Sequence, residues 1–417
     1  MSSKQLKSAR QGPLDGLLVL DFGQAAVGPI AAEYLGMLGA TVIKVESPRG
    51  DMVRQGSPLM KGTGTTFIGN NLGKFGMVLD LKSSEDLEKA KNLIRIADVL
   101  IENFRSSDVM VRLGLGYDVL KDINPDLVYV SSSAYGSGGP LENMRSNEWL
   151  SEALSGFASV TGAEDGAGEI SRGTANLDWN GAMMNTVVIL AALVRRANGK
   201  SGCYCATSQF GSSVYGGITR FAEVLAGQSP GRPLGTASTW MAPDEAFQTL
   251  DGYIAVSAPT QQCWLNLIRV LGLDSLQDDP RFSTNHARVN ARVALCARLS
   301  ERFSRETSAE WHERLIAAHV PCAVVHRSKS LLEMLDGHPQ IAATGALCRI
   351  ASPYGPVASQ APHWTFSRSP AAIPAAPPLL GEHASIVDAN LHDKQALIHA
   401  LKRARVQSQD QLSTEAV

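Results

Sequence analysis

The side chain with the clearest chemical potential is Asp178, which lies in residues 176–181 directly ahead of the apolar run 182–194. A carboxylate at the start of a helix usually caps it by accepting a backbone N–H, and position alone favours that interpretation. The alternative is a nucleophile. Partial desolvation makes a carboxylate reactive, and its attack on a thioester gives a mixed anhydride.

A second pair of carboxylates, Glu148 and Glu152, is spaced by one helical turn, so the two side chains could share a helix face. We expect a solvated face or a helix-start carboxylate here. A substrate-orienting role for Glu148 is the less favoured alternative.

Motifs for common cofactors and metals are absent from the sequence. There is no GxGxxG fingerprint, P-loop or GxSxG elbow, the nine histidines lack HExxH spacing, and the six cysteines form no CxxC pair. We therefore expect no metal site, no permanently bound cofactor, and reduced thiols in a cytoplasmic protein.

The composition and net charge of the chain limit the classes of binding partner that we expect. The net charge of −2 provides no global basic field for nucleic acid. The apolar run 182–194 is too short to span a bilayer and predicts a buried helix, and the polar N-terminus resembles no signal sequence. We expect a soluble protein that binds neither nucleic acid nor membranes.

The elements that must position Asp178 follow an alternating pattern in the first half of the chain. Segments typical of strands are separated by helix-length segments, which predicts an α/β fold with a parallel sheet. Ligands bind beyond the carboxyl ends of such strands, so the tails after Asp21, Glu46, Glu102 and Ser131 mark the expected ligand face. The predicted strands are residues 17–21, 41–46, 77–81, 98–101 and 127–131.

Two breaks divide the remainder of the chain. Residues 228–243 are rich in Gly, Pro, Ser and Thr and predict a linker, after which residues 246–256 predict a hairpin. Residues 369–378 are dense in Ala and Pro. The polar tail beyond Gln407 is expected to lack order.

The joint order of many short motifs resembles the family III CoA-transferases of the CaiB/BaiF type. This family contains formyl-CoA transferase, carnitine CoA-transferase and the α-methylacyl-CoA racemases. The resemblance extends from about Gly12 to about Asp388. The matching stretches are residues 17–22, 28–29, 38–48, 50–54, 71–74, 79–82, 97–105, 112–117, 124–125, 136–140, 156, 161–162, 176–181, 242–243, 247–252 and 320–322.

The resemblance implies that Asp178 is a catalytic nucleophile. It also implies a CoA-transferase that moves CoA from an acyl-CoA donor to a carboxylic acid acceptor. The cycle would pass through an aspartyl–acyl anhydride, an aspartyl–CoA thioester and a second anhydride, with coenzyme A as substrate rather than as resident cofactor.

CoA contacts are implied at the positions that match the family. Asn103 and Phe104 correspond to the adenine side, and Arg112 with Leu113 to the phosphate side. Lys74 is a further basic candidate, and Tyr135 is expected to line the pantetheine channel.

The sequence departs from the family at several of its site positions. Ala26 and Val27 lie in a loop that replaces a polar residue of formyl-CoA transferase, and Ser47 replaces an arginine. The glycine run that shields the intermediates is reduced to a segment beginning at Gly235. Asn147 stands where the racemases carry a histidine, and because asparagine shuttles no proton at neutral pH, racemase chemistry is disfavoured.

The resemblance further implies a Rossmann-like large domain made from both chain ends, a smaller α/β domain, and an interlocked homodimer. We therefore predict residues 1–227 as the N-terminal part of the large domain, 228–325 as the small domain with linkers, and 326–417 as the return to the large domain and tail. A racemase and a non-catalytic CoA-binding subunit of a heteromeric transferase are the rival interpretations.

Overall fold

The computed structural model describes residues 12–105, 108–164, 166–171, 175–227, 231–325, 331–369 and 375–415. The strands are β1 (Leu18–Asp21), β2 (Thr41–Glu46), β3 (Leu59–Met60), β4 (Thr63–Gly64), β5 (Phe75–Val78), β6 (Val99–Glu102), β7 (Val128–Ser133), β8 (Cys203–Ser208), β9 (Asp244–Gln248), β10 (Tyr253–Ser257), β11 (Cys322–Val325), β12 (Leu347–Ile350) and β13 (Val357–Gln360).

The α-helices alternate with these strands in the first half of the chain. They are α1 (Val27–Met37), α2 (Thr65–Asn70), α3 (Ser84–Ile96), α4 (Asp108–Arg112), α5 (Tyr117–Ile123), α6 (Glu148–Leu154), α7 (Asn176–Ala197), α8 (Gln209–Gly216), α9 (Ile218–Leu225), α10 (Gln261–Val270), α11 (Asn285–Asn290), α12 (Arg292–Phe303), α13 (Ser308–Ala317), α14 (Leu331–Asp336), α15 (Pro339–Thr344), α16 (Ala384–Asp388) and α17 (Lys394–Glu415).

A parallel sheet frames the functional site. In the part of the chain that the structure describes, six strands pair in the order β5-β2-β1-β6-β7-β8. The chain runs outward from β1 to β5, then crosses back and continues from β6 to β8. The strand order reverses between β1 and β6, and such a switch point leaves a crevice beyond the carboxyl ends of the strands.

The predicted α/β class with a parallel sheet is confirmed. The five predicted strands correspond to β1, β2, β5, β6 and β7. The sixth strand, β8, was not predicted. It lies at the sheet edge, where more and less exposed side chains alternate, so its sequence lacks the continuous apolar run of a central strand.

One core cluster joins the two ends of the chain. Leu20 and Phe75 pack in the same cluster as Leu397 and Leu401 of α17, and each of these side chains is at most 1% exposed. Lys402 of α17 also forms an ion pair with Asp15. Helix α17 continues to Glu415, so the predicted lack of order beyond Gln407 is wrong.

The contacts divide the chain into two compact units. The larger unit comprises residues 1–155, 172–217 and 339–417, and the smaller one comprises residues 156–171 and 218–338. The predicted ranges 1–227, 228–325 and 326–417 have different boundaries, because contacts assign α9, α14 and residues 156–171 to the smaller unit.

The smaller unit contains an antiparallel sheet in the order β11-β10-β9. Its β9–β10 hairpin agrees with the predicted turn in residues 246–256. Trp264, Leu299 and Trp311 are among the residues of its separate core.

Helix α7 carries Asp178 and has two different faces. Ala182 and Ile189 are buried, and the helix contacts α1, β7 and β8, whereas Met183 and Val187 are exposed. By length and composition alone α7 could cross a membrane, a test that core helices of soluble proteins also pass.

Candidate active site

Asp178 faces a cavity of about 610 Å³ at the switch point of the sheet. The cavity is formed by residues 24–27 after β1, 103–105 after β6, 132–134 at the end of β7, and 144–147 before α6, together with Met52, Asp178 and Gln209. The tails after Asp21, Glu102 and Ser131 thus meet at one place, as the parallel sheet requires.

The capping interpretation of Asp178 does not fit the start of α7. Ala175 occupies the cap position, and Asp178 is the third residue of the helix. Its Oδ1 accepts a short hydrogen bond from the side-chain amide of Gln209. Among the described residues no hydrogen bond to Oδ2 is found, which leaves this oxygen available to a ligand in the cavity.

The environment of Asp178 raises the pKa of its carboxyl group to about 7. Burial is the largest cause, the neighbouring charge of Glu148 adds to it, and the Gln209 hydrogen bond opposes both. A carboxylate that is poorly solvated when ionised is a better nucleophile than one in water.

Glu148 anchors the first turn of α7. One of its oxygens accepts the backbone N–H of Leu177 at 2.7 Å, and the backbone of Asp178 is a second hydrogen-bond donor. Both Glu148 and Glu152 are buried, so a solvated face is wrong, whereas the helix-start carboxylate describes Glu148 well. Desolvation raises the pKa of Glu148.

Asn147 has a structural task at the position where racemases carry a histidine. It is the cap of α6, and its side-chain oxygen accepts the backbone N–H of Leu150 at 3.1 Å. It also lines the cavity, but its side-chain amide cannot act as a general acid or base at neutral pH.

Asn103 holds the cavity loop that follows β1. Its Oδ1 accepts the backbone N–H of Gln24 at 2.6 Å, and its Nδ2 donates to the carbonyl oxygen of Gln24 at 2.8 Å. The residue predicted to contact adenine therefore lines the cavity and also clamps the loop that carries Ala26 and Val27.

Ala25, in the same loop, has a φ of 62°, a backbone region that non-glycine residues rarely occupy. Both carboxylate oxygens of Asp51 accept its N–H, at 3.1 and 3.2 Å, and Asn70 donates to its carbonyl oxygen at 3.0 Å. Such strain persists only where surrounding contacts enforce it. It places the first-turn N–H groups of α1, which have no intrahelical acceptor, at the cavity wall.

A buried charge network lies beneath the loop. Lys44 is 3.0 Å from Asp51 and 3.8 Å from Asp21, and Lys74 is 2.7 Å from Asp21, with all four side chains fully buried. The two lysines lower the pKa of Asp21 against the opposing effect of burial. The network fixes the ends of β1 and β2 relative to each other.

The predicted CoA contact of Lys74 needs correction. Its ammonium group donates to Asp21, Pro29, Asn70 and Asn71 at 2.7–3.1 Å. An ammonium group has three N–H bonds, and four acceptors already share them. Lys74 is 2% exposed and stabilises the loop from below, without an N–H left for a phosphate.

The remaining predicted contacts have varied surroundings. Phe104 lines the cavity and packs against the core of the larger unit. Leu113 packs against the same core but does not line the cavity. Arg112 is exposed at the end of α4. The Tyr135 ring lies 6.1 Å from that of Phe210, and its buried hydroxyl has no partner among the described residues. Their contacts with CoA stay predictions.

Gly235 belongs to the smaller unit. Its φ is +61°, a conformation that favours glycine, and its N–H donates to the carbonyl oxygen of Gly162 at 3.0 Å. Its role as part of a lid stays a prediction.

Two cations of the cavity could bind a carboxylate. Arg105 and Arg145 are the basic residues of its lining, both are exposed, and no ion pair joins either to a described residue. Asp178 is the acidic residue of the same lining. The sequence had left the residues for the acceptor acid unassigned, and this arrangement supplies candidates.

Gln209 had no signal in the sequence. It follows directly on the unpredicted strand β8, and a glutamine at a helix start matches no catalytic pattern. The only available sign was the strand-to-helix junction itself, since residues at the carboxyl ends of parallel strands line the ligand face.

We expect Asn103→Ala to loosen the cavity loop. Loss of two hydrogen bonds should lower the free energy of unfolding by about 1–2 kcal/mol and raise KM for acyl-CoA by about tenfold. Asn124→Ala is the matched control, because the Asn124 side chain is also hydrogen-bonded to the backbone, donating to the carbonyl oxygens of Ile94 and Ala97, but lies ahead of β7, at the amino ends of the parallel strands. Equal KM values for the two variants would contradict the loop assignment.

Comparison with known proteins identifies the class that this fold and site define. The model of CoA-transferase family III matches residues 14–384. The chain belongs to CoA-transferase family III.

Individual relatives support this membership. The succinyl-CoA:glutarate CoA-transferase of Homo sapiens is 31% identical over 374 residues, which cover 89% of this chain and 84% of the relative. The acetyl-CoA:oxalate CoA-transferase of Acetobacter aceti is 35% identical over 313 residues, with 75% and 80% covered. The crystal structure of a CAIB/BAIF family protein from Brucella suis matches with a TM-score of 0.79 at 29% identity, covering 92% of this chain and 100% of that chain.

Proposed function

We propose that this CoA-transferase moves CoA from an acyl-CoA to a carboxylic acid through covalent intermediates on Asp178. The observation that carries the proposal is the poorly solvated carboxylate of Asp178, which lines a cavity of about 610 Å³ at the switch point and whose Oδ2 accepts no hydrogen bond from a described residue. Family membership supports CoA transfer in general, and the cavity geometry supports the nucleophile.

The first half of the cycle transfers CoA to the enzyme. Asp178 Oδ2 attacks the acyl carbonyl of the donor, the C–S bond breaks, and CoA leaves as a thiolate. The thiolate then attacks the aspartyl carbonyl of the mixed anhydride. The donor acid departs as a carboxylate, and the enzyme holds an aspartyl–CoA thioester.

The second half repeats these steps in reverse order. The acceptor carboxylate attacks the aspartyl carbonyl, the C–S bond breaks, and a second anhydride forms. The released thiolate attacks the acceptor's acyl carbonyl, which gives the new acyl-CoA and restores the Asp178 carboxylate. Ala26, the cap of α1, and Val27, its first residue, line the cavity, and we propose that their backbone N–H groups stabilise the oxyanions of each step.

We further propose small dicarboxylic acids as substrates. The relatives from Homo sapiens and Acetobacter aceti are named for glutarate and oxalate, which are dicarboxylic acids. A free carboxylate at the far end of the acyl group would need a cation, and Arg105 and Arg145 are in the cavity.

Trapping with hydroxylamine tests the covalent step. The protein is mixed with a panel of acyl-CoAs that includes succinyl-CoA and acetyl-CoA, and peptides are analysed by mass spectrometry. A hydroxamate on Asp178 is expected with the true donor and is absent in Asp178→Asn. A hydroxamate on another residue, or none with an active donor, contradicts the proposal.

Racemase chemistry is the alternative within the same family, and Asn147 speaks against it. Incubation of an α-methylacyl-CoA in deuterated water, without an acceptor acid, separates the two activities. We expect no exchange of the α-proton, whereas rapid exchange would favour a racemase.

The pH dependence should follow the ionisation of Asp178. The pKa of its carboxyl group is raised to about 7, and only the carboxylate is nucleophilic. We expect kcat/KM to rise with pH to a plateau, with the midpoint of the rise near pH 7. The ratio kcat/KM reports the ionisation of groups in the free enzyme. A profile that is flat between about pH 6 and about pH 8, one unit on either side of the transition, would contradict the role of Asp178.

The homodimer, the cytoplasmic location and the absence of a permanent cofactor stay proposals. A second copy of the chain has a candidate surface on α7, where Trp179, Met183, Val187 and Val194 expose an apolar face. Light scattering after size-exclusion chromatography should give twice the mass of the chain, and a monomer would contradict this assignment.

A further inference from the structure

Gln209 is the described residue whose side chain bonds to Asp178, and it is held in place on both sides. Only 7% of Gln209 is exposed, and it begins α8 directly after β8. Ser208 caps this helix by accepting the N–H of Gly211 at 3.0 Å. The side chain therefore starts from a rigid strand-to-helix junction.

The orientation of the Gln209 amide follows from its partners. Ser151 donates to Oε1 of Gln209 at 3.3 Å, so that oxygen is occupied. An ionised carboxylate only accepts hydrogen bonds, so the amide nitrogen must face Asp178. Ser151 is fully buried within α6, the helix that begins with Glu148.

We propose that Gln209 is a positioning residue that holds Asp178 Oδ1 and thereby presents Oδ2 to the thioester carbonyl. This inference rests on the proposed function, since it assigns a role within the same site. Gln209 bonds to one oxygen of the carboxylate and leaves the other open to the cavity. Ser151 of α6 and the junction between β8 and α8 hold Gln209 in place. These elements therefore determine the orientation of the Asp178 carboxylate.

The hydrogen bond has an electrostatic consequence. Burial and the charge of Glu148 both disfavour the charged form of Asp178, whereas the hydrogen bond from the Gln209 amide favours it. Without the amide, a smaller fraction of Asp178 would be ionised at neutral pH. Gln209 thus affects both the direction and the ionisation of the nucleophile.

The test compares Gln209→Leu and Gln209→Met with Asn180→Leu. The two Gln209 variants keep the side-chain volume and remove the amide. Asn180 is the matched control, because its Nδ2 donates to the Ser212 carbonyl at 2.6 Å and so links the same two helices, α7 and α8, without contacting the Asp178 carboxylate. Two Gln209 variants are used so that misfolding of one leaves the other informative.

The readouts are kcat and the pH profile with succinyl-CoA as donor and glutarate as acceptor. For each folded Gln209 variant we expect kcat to fall by about 10–100-fold and the midpoint of kcat/KM to rise by about one pH unit. Asn180→Leu should leave the midpoint unchanged. A midpoint and kcat for the Gln209 variants equal to those of Asn180→Leu would overturn the proposal.

Hydroxylamine trapping separates this proposal from the function on which it rests. If the wild-type protein forms the Asp178 hydroxamate with succinyl-CoA and the Gln209 variants form it at the same rate, only the role of Gln209 fails. If the wild-type protein transfers CoA without modification of Asp178, the covalent mechanism fails. Slower labelling in both Gln209 variants supports the positioning role.

Discussion

Asp178→Asn should lower kcat for CoA transfer by at least about 10³-fold, the scale seen when a covalent nucleophile is removed. Asparagine has nearly the same shape and can still accept the Gln209 hydrogen bond, so the cavity should stay intact. Its amide does not attack a thioester. The measurement is steady-state transfer from succinyl-CoA to glutarate, with acyl-CoA binding followed separately by calorimetry.

Binding should survive this substitution, since the predicted CoA contacts, such as Asn103 and Phe104, are other residues of the cavity. A variant that binds acyl-CoA and transfers nothing would assign chemistry alone to Asp178. Transfer at the normal rate would instead favour a non-catalytic CoA-binding subunit, with the reaction performed by another chain.

The same variant should be more stable than the wild type at neutral and higher pH. The raised pKa of Asp178 means that the folded state keeps a proton which the unfolded chain has already lost. Stability is therefore lost as pH rises from about 4 to about 7, and the loss is complete above pH 7. Asp178→Asn removes this penalty, with a gain of about 4 kcal/mol well above pH 7 and none below pH 4, measurable by urea unfolding.

Lys74→Met should destabilise the larger unit by about 3–5 kcal/mol, because it leaves the buried carboxylate of Asp21 with fewer compensating charges. It also removes the donor shared by Pro29, Asn70 and Asn71. Urea unfolding at pH 7 measures the loss. The loop that contains Ala25 should become mobile with it, since Asn70 holds the carbonyl oxygen of Ala25.

Lys82→Met provides the control, because Lys82 is exposed and lies four positions after the end of β5 at Val78. Its effect on stability should stay within about 0.5 kcal/mol. If Lys74→Met retained wild-type stability and merely weakened CoA binding, the original assignment of Lys74 as a CoA contact would be restored.

The sequence predicted the frame of the fold better than the surroundings of its site. β1 begins with three consecutive apolar residues, as does β7, and β2 contains Val42, Ile43 and Val45; such apolar segments predict buried parallel strands. Family motifs added Asp178, which no local pattern could distinguish from a helix cap. The edge strand β8 was not predicted, because the alternation of more and less exposed side chains along it is weak and extends over few residues.

Long-range contacts explain which interactions of the site could not be predicted from the sequence. Lys74 is 53 positions from Asp21, and Gln209 is 31 positions from Asp178, so neither pair has a spacing that predicts contact. Lys74, within a family motif, was predicted as a further basic contact for CoA, whereas its burial and its four acceptors give it a structural role. The residues that tune the site are those brought together only by the completed sheet.

The shared core of Leu20, Phe75, Leu397 and Leu401 has a consequence for biosynthesis. The first strands leave the ribosome long before α17 is translated, so the part of their apolar face that α17 covers stays exposed until that helix has been made. Premature termination ahead of α17 would release a polypeptide with that face open to chaperones and proteases. Burial of the first strands is thus completed only when α17 has been synthesised.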